Sequence, residues 1–368
     1  MEATYAGISA SLRPLAIVQR PTAVAELQRI ADGVIPDLVQ RQIDAGVDVV
    51  TDGEVRRSSF ISAFYDAVDG LGRADEADAG AGQPLLRDSS ANQVVEKGVQ
   101  SGVRLHKTSS PAAEEVAFMR AVTDYPFKLT LPAPSYFLTD FVPTAGSGYA
   151  SRRDFLTDVV SITSAIVAEV VAAGARWLQF DFPVYPALVA DAGGRHGSLL
   201  TNAIREGETF SSLLELALEA DAAVTAPVPD GLVTALHLCR GNLGGGFWSG
   251  SLERIAEQMF ARLPHDRFLF EWEDVGRQGD YEPIRHVPKG KIMAMGVVST
   301  KTPELESEEE IIRRIEAAAK YLGLEQLAVC PQCGFASLFG DRLVEAEDAQ
   351  WRKLELIGNV ADRVWGAG

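Results

Sequence analysis

Cysteine and histidine are scarce in this chain, which has three cysteines and five histidines among its 368 residues. So few cysteines in so long a chain do not form a disulfide framework. No Gly-x-Gly-x-x-Gly motif follows the first strand-like run, and no phosphate loop occurs elsewhere. These absences argue against a nucleotide-binding fold of the dinucleotide or P-loop type.

Long apolar runs are also missing, since none approaches the roughly 18 residues that a membrane span needs. The first residues, Met1 to Tyr5, carry no basic segment of the kind that opens a secretory signal. We therefore expect a globular protein located in the cytoplasm.

Basic residues are in the minority, with 34 lysines and arginines against 51 aspartates and glutamates and a formal net charge of −17. An acidic surface repels a polyanion, so we expect no nucleic-acid partner. With no membrane partner expected either, the predicted partners are small molecules, and a homo-oligomer remains open.

Eight strand-like runs alternate with helical segments along the chain. They lie at residues 15–18, 47–54, 127–135, 177–183, 232–239, 267–274, 291–299 and 327–334. The runs are short and apolar without alternation, as expected when both faces of a parallel sheet are buried. This order favours an α/β fold, a single (β/α)8 TIM barrel, over the alternative of a doubly wound open sheet.

The helical segments show periodic apolar residues, and we read residues 1–368 as one barrel domain. A helix over 22–45 is expected to break at Pro36. Ser307 and Glu310 have the spacing of a capping box. Residues 66–115, after the second strand, are rich in small and polar residues, which predicts an insertion such as a hairpin or a lid.

His237 and Cys239 lie two residues apart at the end of the fifth strand, where their side chains point to the same face. An imidazole and a thiolate that converge are ligands for zinc. A small core cysteine beside a satisfied histidine is the structural alternative. The other histidines, His106, His196, His265 and His286, lie in polar or loop contexts and are expected to be solvated.

Reactive side chains follow six of the eight strands, at the end where barrel enzymes place their active sites. In chain order they are Glu54, Asp181, His237 with Cys239, Glu271, Lys301 and Cys333. The spacing of Cys330 and Cys333 also allows a redox pair, but no second metal-type pair accompanies it. Arg56 and Arg57, which follow Glu54, are each expected to be solvated when considered alone.

His237, Cys239 and Cys333 form a three-ligand set for Zn2+, and Glu271 can supply a fourth oxygen that yields to substrate. Two thiolates and a carboxylate leave the filled site with a net charge of −1, which makes it a poor generator of hydroxide. Such a site suits the binding of a small thiol as a thiolate, a strong nucleophile. The predicted reaction is alkylation of sulfur.

These residues occur in a pattern that resembles the cobalamin-independent methionine synthase family, specifically its C-terminal catalytic barrel. The matching segments are Gly53-Glu54, Leu178 to Pro183, His237-Leu238-Cys239, the Glu271 strand, Gly296-Val297-Val298 and Pro331-Gln332-Cys333-Gly334. The resemblance implies a zinc barrel that activates a thiol for methyl transfer, as a 5-methyltetrahydropteroyltriglutamate–homocysteine methyltransferase does.

The resemblance also implies roles for individual residues. His237, Cys239, Glu271 and Cys333 would hold zinc, with Glu273 as the alternative to Glu271 on the same strand face. Glu54 and Asp181 match the carboxylates that bind the amino group of homocysteine. Lys301 falls in register with a family histidine that donates a proton to the folate, so we expect it to be catalytic.

Three departures from the family pattern bear on the alkyl donor, which the family takes from a methylfolate. The additional N-terminal barrel of the synthases has no counterpart in these 368 residues, and their Asp-Glu-Pro reads Asp181-Phe182-Pro183 here. Their N-terminal Gly-Ser-Phe-Pro element is degraded around residues 11–14. Trp248 and Phe247 are candidates for a pocket wall that stacks on a flat donor.

Two other functions remain open on the sequence alone. The epoxyalkane:coenzyme M transferases of the same superfamily add a zinc-bound thiol to an epoxide, and Lys301 could protonate the opened oxygen there. A surface lysine in a loop is the structural alternative for Lys301. A protein without catalytic activity could use the same zinc to bind or carry a thiol.

Overall fold

A computed structural model gives the architecture of the protein. It describes residues 20–57, 60–73, 97–99, 103–138, 148–190, 207–225, 228–241, 248–335 and 343–366.

The centre of the described structure is a parallel sheet of six strands. These strands are β5 (Leu129–Pro132), β6 (Trp177–Asp181), β7 (Val233–Leu238), β8 (Arg267–Glu271), β9 (Ile292–Val298) and β10 (Leu327–Pro331). Their order in the sheet is the order of the sequence, β5 to β10, and every neighbouring pair is parallel.

Helices connect these strands and cover the sheet. They are α1 (Arg20–Asp44), α2 (Ser62–Tyr65), α3 (Pro111–Val122), α4 (Arg152–Ala172), α5 (Tyr185–Val189), α6 (Phe210–Ala223), α7 (Glu253–Arg262), α8 (Val275–Gln278), α9 (Glu308–Ala318) and α10 (Leu343–Trp365). Short 3-10 helices lie at Pro134–Leu138, Glu282–His286 and Leu324–Gln326.

A strand order without reversal is the winding expected of a barrel, because a doubly wound sheet turns back at a switch point. The sheet continues one position beyond β5 through a parallel bridge between Val50 and Phe127. The α/β class and the six later strands are thus confirmed, whereas the second predicted strand is reduced to this one bridge. The predicted first strand, at 15–18, lies outside the described residues, so the described part does not supply eight strands.

The segment predicted as an insertion contains four short strands in antiparallel pairs. Strand β1 (Val68–Asp69) pairs with β4 (His106–Lys107), and β2 (Leu71–Arg73) pairs with β3 (Lys97–Val99). The nesting of one pair inside the other is that of a hairpin, while residues 74–96 lie outside the described part. A lid function for this segment stays a prediction.

One expectation about helices was wrong. Helix α1 continues through Pro36 without a break, since the face that carries Ile35, Leu38 and Val39 is buried against the core.

Helix α4 is long and apolar enough to cross a membrane by length and composition, with a mean hydropathy of 1.8 over its most apolar 18 residues. Its buried residues, Phe155 and Val159 among them, belong to the common core, as in a core helix.

His265 also departs from expectation, because it is fully buried rather than solvated. Its ring contacts Phe180 on β6 and Phe268 on β8, with centroid distances of 5.5 and 6.3 Å. Neither ring nitrogen has a hydrogen-bond partner within the described part of the chain. Burial therefore lowers the pKa of His265 to about 3 and keeps the ring neutral.

Candidate active site

The sheet brings the predicted site residues together at the carboxyl ends of its strands. Asp181 and His237 are register partners on β6 and β7, and Glu271 is the last residue of β8. Cys333 and Lys301 lie two and three residues beyond β10 and β9. Glu54 follows the Val50 bridge by four residues.

The two predicted cysteine ligands are in contact, with 3.7 Å between the Sγ atoms of Cys239 and Cys333. Two sulfurs that share a tetrahedral zinc at bonds of ~2.3 Å lie about 3.8 Å apart, so this pair has the spacing that zinc requires. The backbone N–H of Gly241 donates to the Cys239 sulfur at 3.3 Å. All three cysteines are free thiols, and the sulfur contact described for Cys333 is with Cys239 rather than Cys330.

Without a metal, the two thiols share a hydrogen bond that separates their acidities. The hydrogen bond from Cys239 lowers the pKa of Cys333 to about 6, aided by the charge of His237 and opposed by burial. The same hydrogen bond, together with burial, raises the pKa of Cys239 well above its usual value. One thiolate therefore exists near neutral pH before any metal binds.

His237 is oriented by a carboxylate. Its Nδ1 lies 3.0 Å from Asp181 Oδ1, and its Nε2 lies 3.2 Å from the backbone oxygen of Gln332. Although burial opposes the shift, the Asp181 hydrogen bond raises the pKa of His237 to about 9. A carboxylate on one ring nitrogen is the usual outer partner of a metal-binding histidine and leaves Nε2 as the candidate ligand atom.

Asp181 is itself held by a chain of polar side chains that sequence reasoning missed. Gln179 donates to Asp181 Oδ1 at 2.6 Å, and Lys128 donates to Gln179 at 2.6 Å. Within the described part of the chain, all these hydrogen bonds reach Oδ1 and none reaches Oδ2. The predicted contact of this carboxylate with a substrate amine stays a prediction.

Glu271 is almost fully buried beside the cysteine pair. Its Oε2 accepts from the backbone N–H of Arg240, the residue after Cys239, at 2.8 Å. Its Oε1 accepts from Gln278 at 3.2 Å and from Lys301 at 2.6 Å. Burial and the charge of Glu273 raise the pKa of Glu271 to about 7 against the opposing charge of Lys301.

Glu273, the alternative ligand, contacts Lys301 and accepts from Gln278 at 2.7 Å. Glu271, unlike Glu273, contacts the backbone next to Cys239, so it is the carboxylate nearer the cysteine pair. Lys301 is not a loop surface residue, since its side chain is only 17% exposed and its ammonium contacts Glu271, Glu273 and Gln332.

Glu54 sits in a second polar group next to the first. Its Oε1 accepts from Thr130 and from Arg57, the latter at 3.3 Å. Arg57 is not solvated as expected, because its side chain is 3% exposed and its guanidinium pairs with Glu115 on α3. Burial raises the pKa of Glu54 to about 7, with the charge of Arg57 opposing the rise and that of Asp181 adding to it.

Backbone strain marks two of these strand exits. Glu54 and Phe182 have φ angles of 57° and 47°, a left-handed conformation that residues other than glycine rarely adopt. The turn at Glu54 is held by Asp52, whose Oδ1 accepts from the Glu54 N–H at 2.9 Å. Such strain is concentrated at functional sites, where the surrounding structure holds a side chain in a fixed direction.

An aromatic wall adjoins Asp181. The ring of Phe182 lies 5.5 Å from that of Trp248, 5.9 Å from Tyr136 and 6.0 Å from Phe60, measured between centroids. Trp248 therefore lies beside the strand exit where a pocket wall was predicted, while Phe247 lies outside the described residues.

The donor set fits zinc in type and, for the two sulfurs, in spacing. Across the described ranges, no three His, Cys, Asp or Glu side chains are grouped closely enough to hold an ion as they stand. The reason is visible in the contacts, because Glu271 and His237 are each satisfied by protein partners. Binding of a metal at the cysteine pair would require these two side chains to exchange those partners for it.

Several known proteins are similar in sequence to most of this chain. The chain is 30% identical over 348 residues to the uncharacterised protein YxjH of Bacillus subtilis, which covers 92% of this chain and 87% of that protein. It is 21% identical to a methionine synthase of Sulfurisphaera tokodaii, over 85% of this chain and 78% of that protein. A 5-methyltetrahydropteroyltriglutamate–homocysteine methyltransferase of Shewanella oneidensis is 22% identical over 85% of this chain but only 36% of its own length.

Solved structures share the fold. A Listeria monocytogenes protein provisionally assigned as a vitamin-B12-independent methionine synthase superposes with a TM-score of 0.72 at 24% identity, covering 98% of this chain and 95% of that one. A B12-independent methionine synthase from Shewanella sp. W3-18-1, in complex with selenomethionine, gives a TM-score of 0.69 at 19% identity, over 92% and 89% of the chains. The family described as the catalytic domain of cobalamin-independent synthases matches residues 15–347. The resemblance seen in the sequence is thereby confirmed, and the chain belongs to the cobalamin-independent synthase catalytic-domain family.

Proposed function

We propose that this protein is a zinc-dependent S-methyltransferase that transfers a methyl group to homocysteine or a similar small thiol. The observation that carries the proposal is the 3.7 Å contact between Cys239 and Cys333, with His237 and Glu271 beside it, in a member of this family. His237, Cys239 and Cys333 would hold the metal, with Glu271 as the ligand that yields. Zinc bound there would keep a coordinated thiol deprotonated at neutral pH.

Homocysteine is the favoured thiol because two carboxylates, those of Asp181 and Glu54, can bind its amino group. Asp181 has one oxygen on His237 and the other available, and Glu54 shares the same electrostatic environment. Relatives named as methionine synthases and as a homocysteine methyltransferase support the same choice. In this proposal Glu54 and Asp181 bind and orient the ammonium group.

The alkyl donor is proposed to be a methylfolate, in line with the name of the Shewanella oneidensis relative. The wall of Phe182 and Trp248 offers flat apolar surface for such a donor. The predicted role of Lys301 as a proton donor, to a folate or to an opened epoxide, would require one of its contacts to open. An ammonium group has three donors, and Glu271, Glu273 and Gln332 accept all of them.

A cytoplasmic location is part of the proposal, because the site needs Cys239 and Cys333 as free thiols, which a reducing compartment maintains. Assembly into a homo-oligomer stays a prediction.

The test is zinc-edge X-ray absorption on the purified protein, alone and with homocysteine, coenzyme M or glutathione. The proposal expects one bound zinc with two sulfur ligands and a third sulfur only when homocysteine is added. A protein without zinc, or with zinc that no thiol reaches, would overturn it. Methionine formed from homocysteine and 5-methyltetrahydrofolate then separates an enzyme from a thiol carrier, and a 2-hydroxyalkyl thioether formed from coenzyme M and an epoxide would favour the lyase-like alternative.

A further inference from the structure

Five side chains at the exits of β8, β9 and β10 form one connected group, which we call the carboxylate clamp. Its members are Glu271, Glu273, Gln278, Lys301 and Gln332. Lys301 lies at its centre and contacts Glu271 Oε1 at 2.6 Å and Gln332 Oε1 at 2.9 Å as well as Glu273. Gln278 donates to both carboxylates from the opposite end.

The clamp is buried, so its hydrogen bonds are made with little competition from water. The side chains of Glu271 and Glu273 are 1% and 8% exposed. Two buried carboxylates that share one ammonium form charge-assisted hydrogen bonds, which are roughly twice as strong as neutral ones. Glu271 is therefore held by protein donors on both oxygens, by Lys301 and Gln278 on Oε1 and by the Arg240 N–H on Oε2.

The clamp also reaches the other metal candidates. Gln332 accepts from Lys301 through its side chain, donates to Thr300 at 2.7 Å, and offers its backbone oxygen to His237. Because Gln332 precedes Cys333, one lysine fixes both the carboxylate ligand and the residue before the second cysteine.

We infer that Lys301 is a positioning residue that competes with the metal for Glu271 and so keeps this carboxylate a weak, displaceable ligand. The inference rests on the proposed function. As a consequence, a substrate thiol would easily displace Glu271 from the metal, and Glu271 would return to Lys301 and Gln278. The ammonium then acts through Glu271, without touching substrate.

Lys353 on α10 provides a matched control. It is also a buried lysine near the exit of β9, and it donates to the Ser299 backbone oxygen at 2.7 Å and to Glu306 at 3.0 Å. Within the described ranges its side chain makes no direct hydrogen bond or ion pair with the clamp, and its link to Lys301 runs through Ser299, whose hydroxyl accepts from the Lys301 backbone N–H at 3.1 Å. Lys353→Met therefore removes a buried ion pair of the same kind without releasing Glu271.

The experiment measures two affinities in the wild type, Lys301→Met and Lys353→Met: that of zinc, by competition with a chromophoric chelator, and that of homocysteine for the zinc-loaded protein. For Lys301→Met we expect zinc to bind about tenfold more tightly and homocysteine about tenfold more weakly. A partner that merely orients a ligand has the opposite effect on the metal, a loss of about 10–100-fold when it is removed. Lys353→Met should match the wild type in both affinities.

A second comparison separates the clamp from the simple loss of a positive charge. In a Glu271→Gln background, Lys301→Met should no longer change either affinity, whereas a general charge effect would persist there. Weaker zinc binding in Lys301→Met, or an unchanged homocysteine affinity, would overturn the inference. If Lys301→Met does not fold, as judged by circular dichroism, Lys301→Gln is measured instead, with smaller shifts expected in the same directions.

The outcomes also distinguish this inference from the proposed function. If the wild-type protein binds zinc and homocysteine and Lys301→Met has the same two affinities, the inference is wrong and the proposed function stands. If the wild-type protein binds no zinc, both the inference and the proposed function are wrong.

Discussion

Cys330 and Cys333 lie three residues apart, yet their surroundings differ. Cys333 contacts Cys239, whereas burial raises the pKa of Cys330, a strand residue paired with Gly296, to about 12. Cys333→Ser should abolish stoichiometric zinc binding, because a hydroxyl is a far poorer zinc ligand than a thiolate. Cys330→Ser should retain zinc. Metal content by mass spectrometry after gel filtration measures both, and zinc retained in Cys333→Ser would contradict the assignment.

Glu54 predicts a pH dependence of substrate binding. Its pKa of about 7 means that the carboxyl is protonated below neutral pH in the free protein, while an ammonium group binds only the carboxylate. The contribution of the homocysteine amine should therefore grow as the pH rises, by about tenfold between pH 6 and pH 8. The measurement is the ratio of the Kd values of 4-mercaptobutyrate and homocysteine, which differ by that amine. In Glu54→Gln this ratio should not change with pH.

His265 predicts an effect on acid stability. Its pKa is about 3 in the folded chain, so below its ordinary value near 6.5 only the unfolded chain takes up this proton. Stability should fall as the pH drops from 6.5, with a share from His265 of about 2 kcal/mol at pH 5. Urea unfolding of wild type and His265→Phe at pH 7 and pH 5 tests this, since the variant should lose less stability over that interval. Exposed His106, changed to Gln, is the control.

At the scale of single residues, the sequence could predict that the candidate ligands meet at the strand ends, because residue type and two-residue spacing at a strand end are local properties. Their role as ligands stays a prediction. The partners that hold these residues were missed. Arg57 donates to Glu115, a residue separated from it by 58 positions in the sequence. Lys128 donates to Gln179, at a separation of 51 positions. A charged residue in a loop gives no local sign of such a distant partner, which is why Arg57 was expected to be solvated.

Among the elements, the strands after residue 120 were predicted best, since continuous apolar runs between helices identify buried parallel strands. The second strand was overestimated because, among the described residues, Val47 to Glu54 pairs with the sheet only at Val50, while Gln42 on α1 holds the Thr51 backbone. The predicted break at Pro36 considered only the backbone hydrogen bond that proline removes from a helix. Burial of the α1 face around Pro36 stabilises the helix by more than this loss.

Helix α10 is fastened to the exit of β9 by one buried lysine, and this predicts the cost of its removal. Lys353→Met removes the ammonium that donates to Glu306 Oε2 and to the Ser299 carbonyl, and it leaves Glu306 only the Ser299 N–H, on Oε1, among its described donors. The free energy of unfolding should fall by about 3 kcal/mol, as for other buried ion pairs that lose one partner. Denaturant unfolding measures the loss. Adding Glu306→Gln should recover part of it, and a double variant as unstable as the sum of two independent losses would contradict the pairing.

At the scale of the whole molecule, the order of the sheet explains why ligands distant in sequence meet. Strands β7, β8 and β10 each deliver a candidate ligand to the same edge, and β9 between them delivers Lys301. A metal at this position would add a further link between strand exits that Lys301 and the Cys239–Cys333 contact already join. Binding of a metal there would therefore be coupled to the stability of the fold.

This coupling predicts that removal of zinc lowers the melting temperature. A ligand that binds only the folded state stabilises it by about 2.7 kcal/mol when present at 100 times its Kd. With an unfolding entropy of about 2.1 cal/mol/K per residue, each kcal/mol shifts the melting temperature of this 368-residue chain by roughly 1.3 °C, so a chelator should lower it by about 3–4 °C. Differential scanning calorimetry with and without chelator measures the shift. Cys333→Ser, which has no complete site, should melt at the same temperature in both conditions, and an equal shift in that variant would mean that the metal binds elsewhere on the molecule.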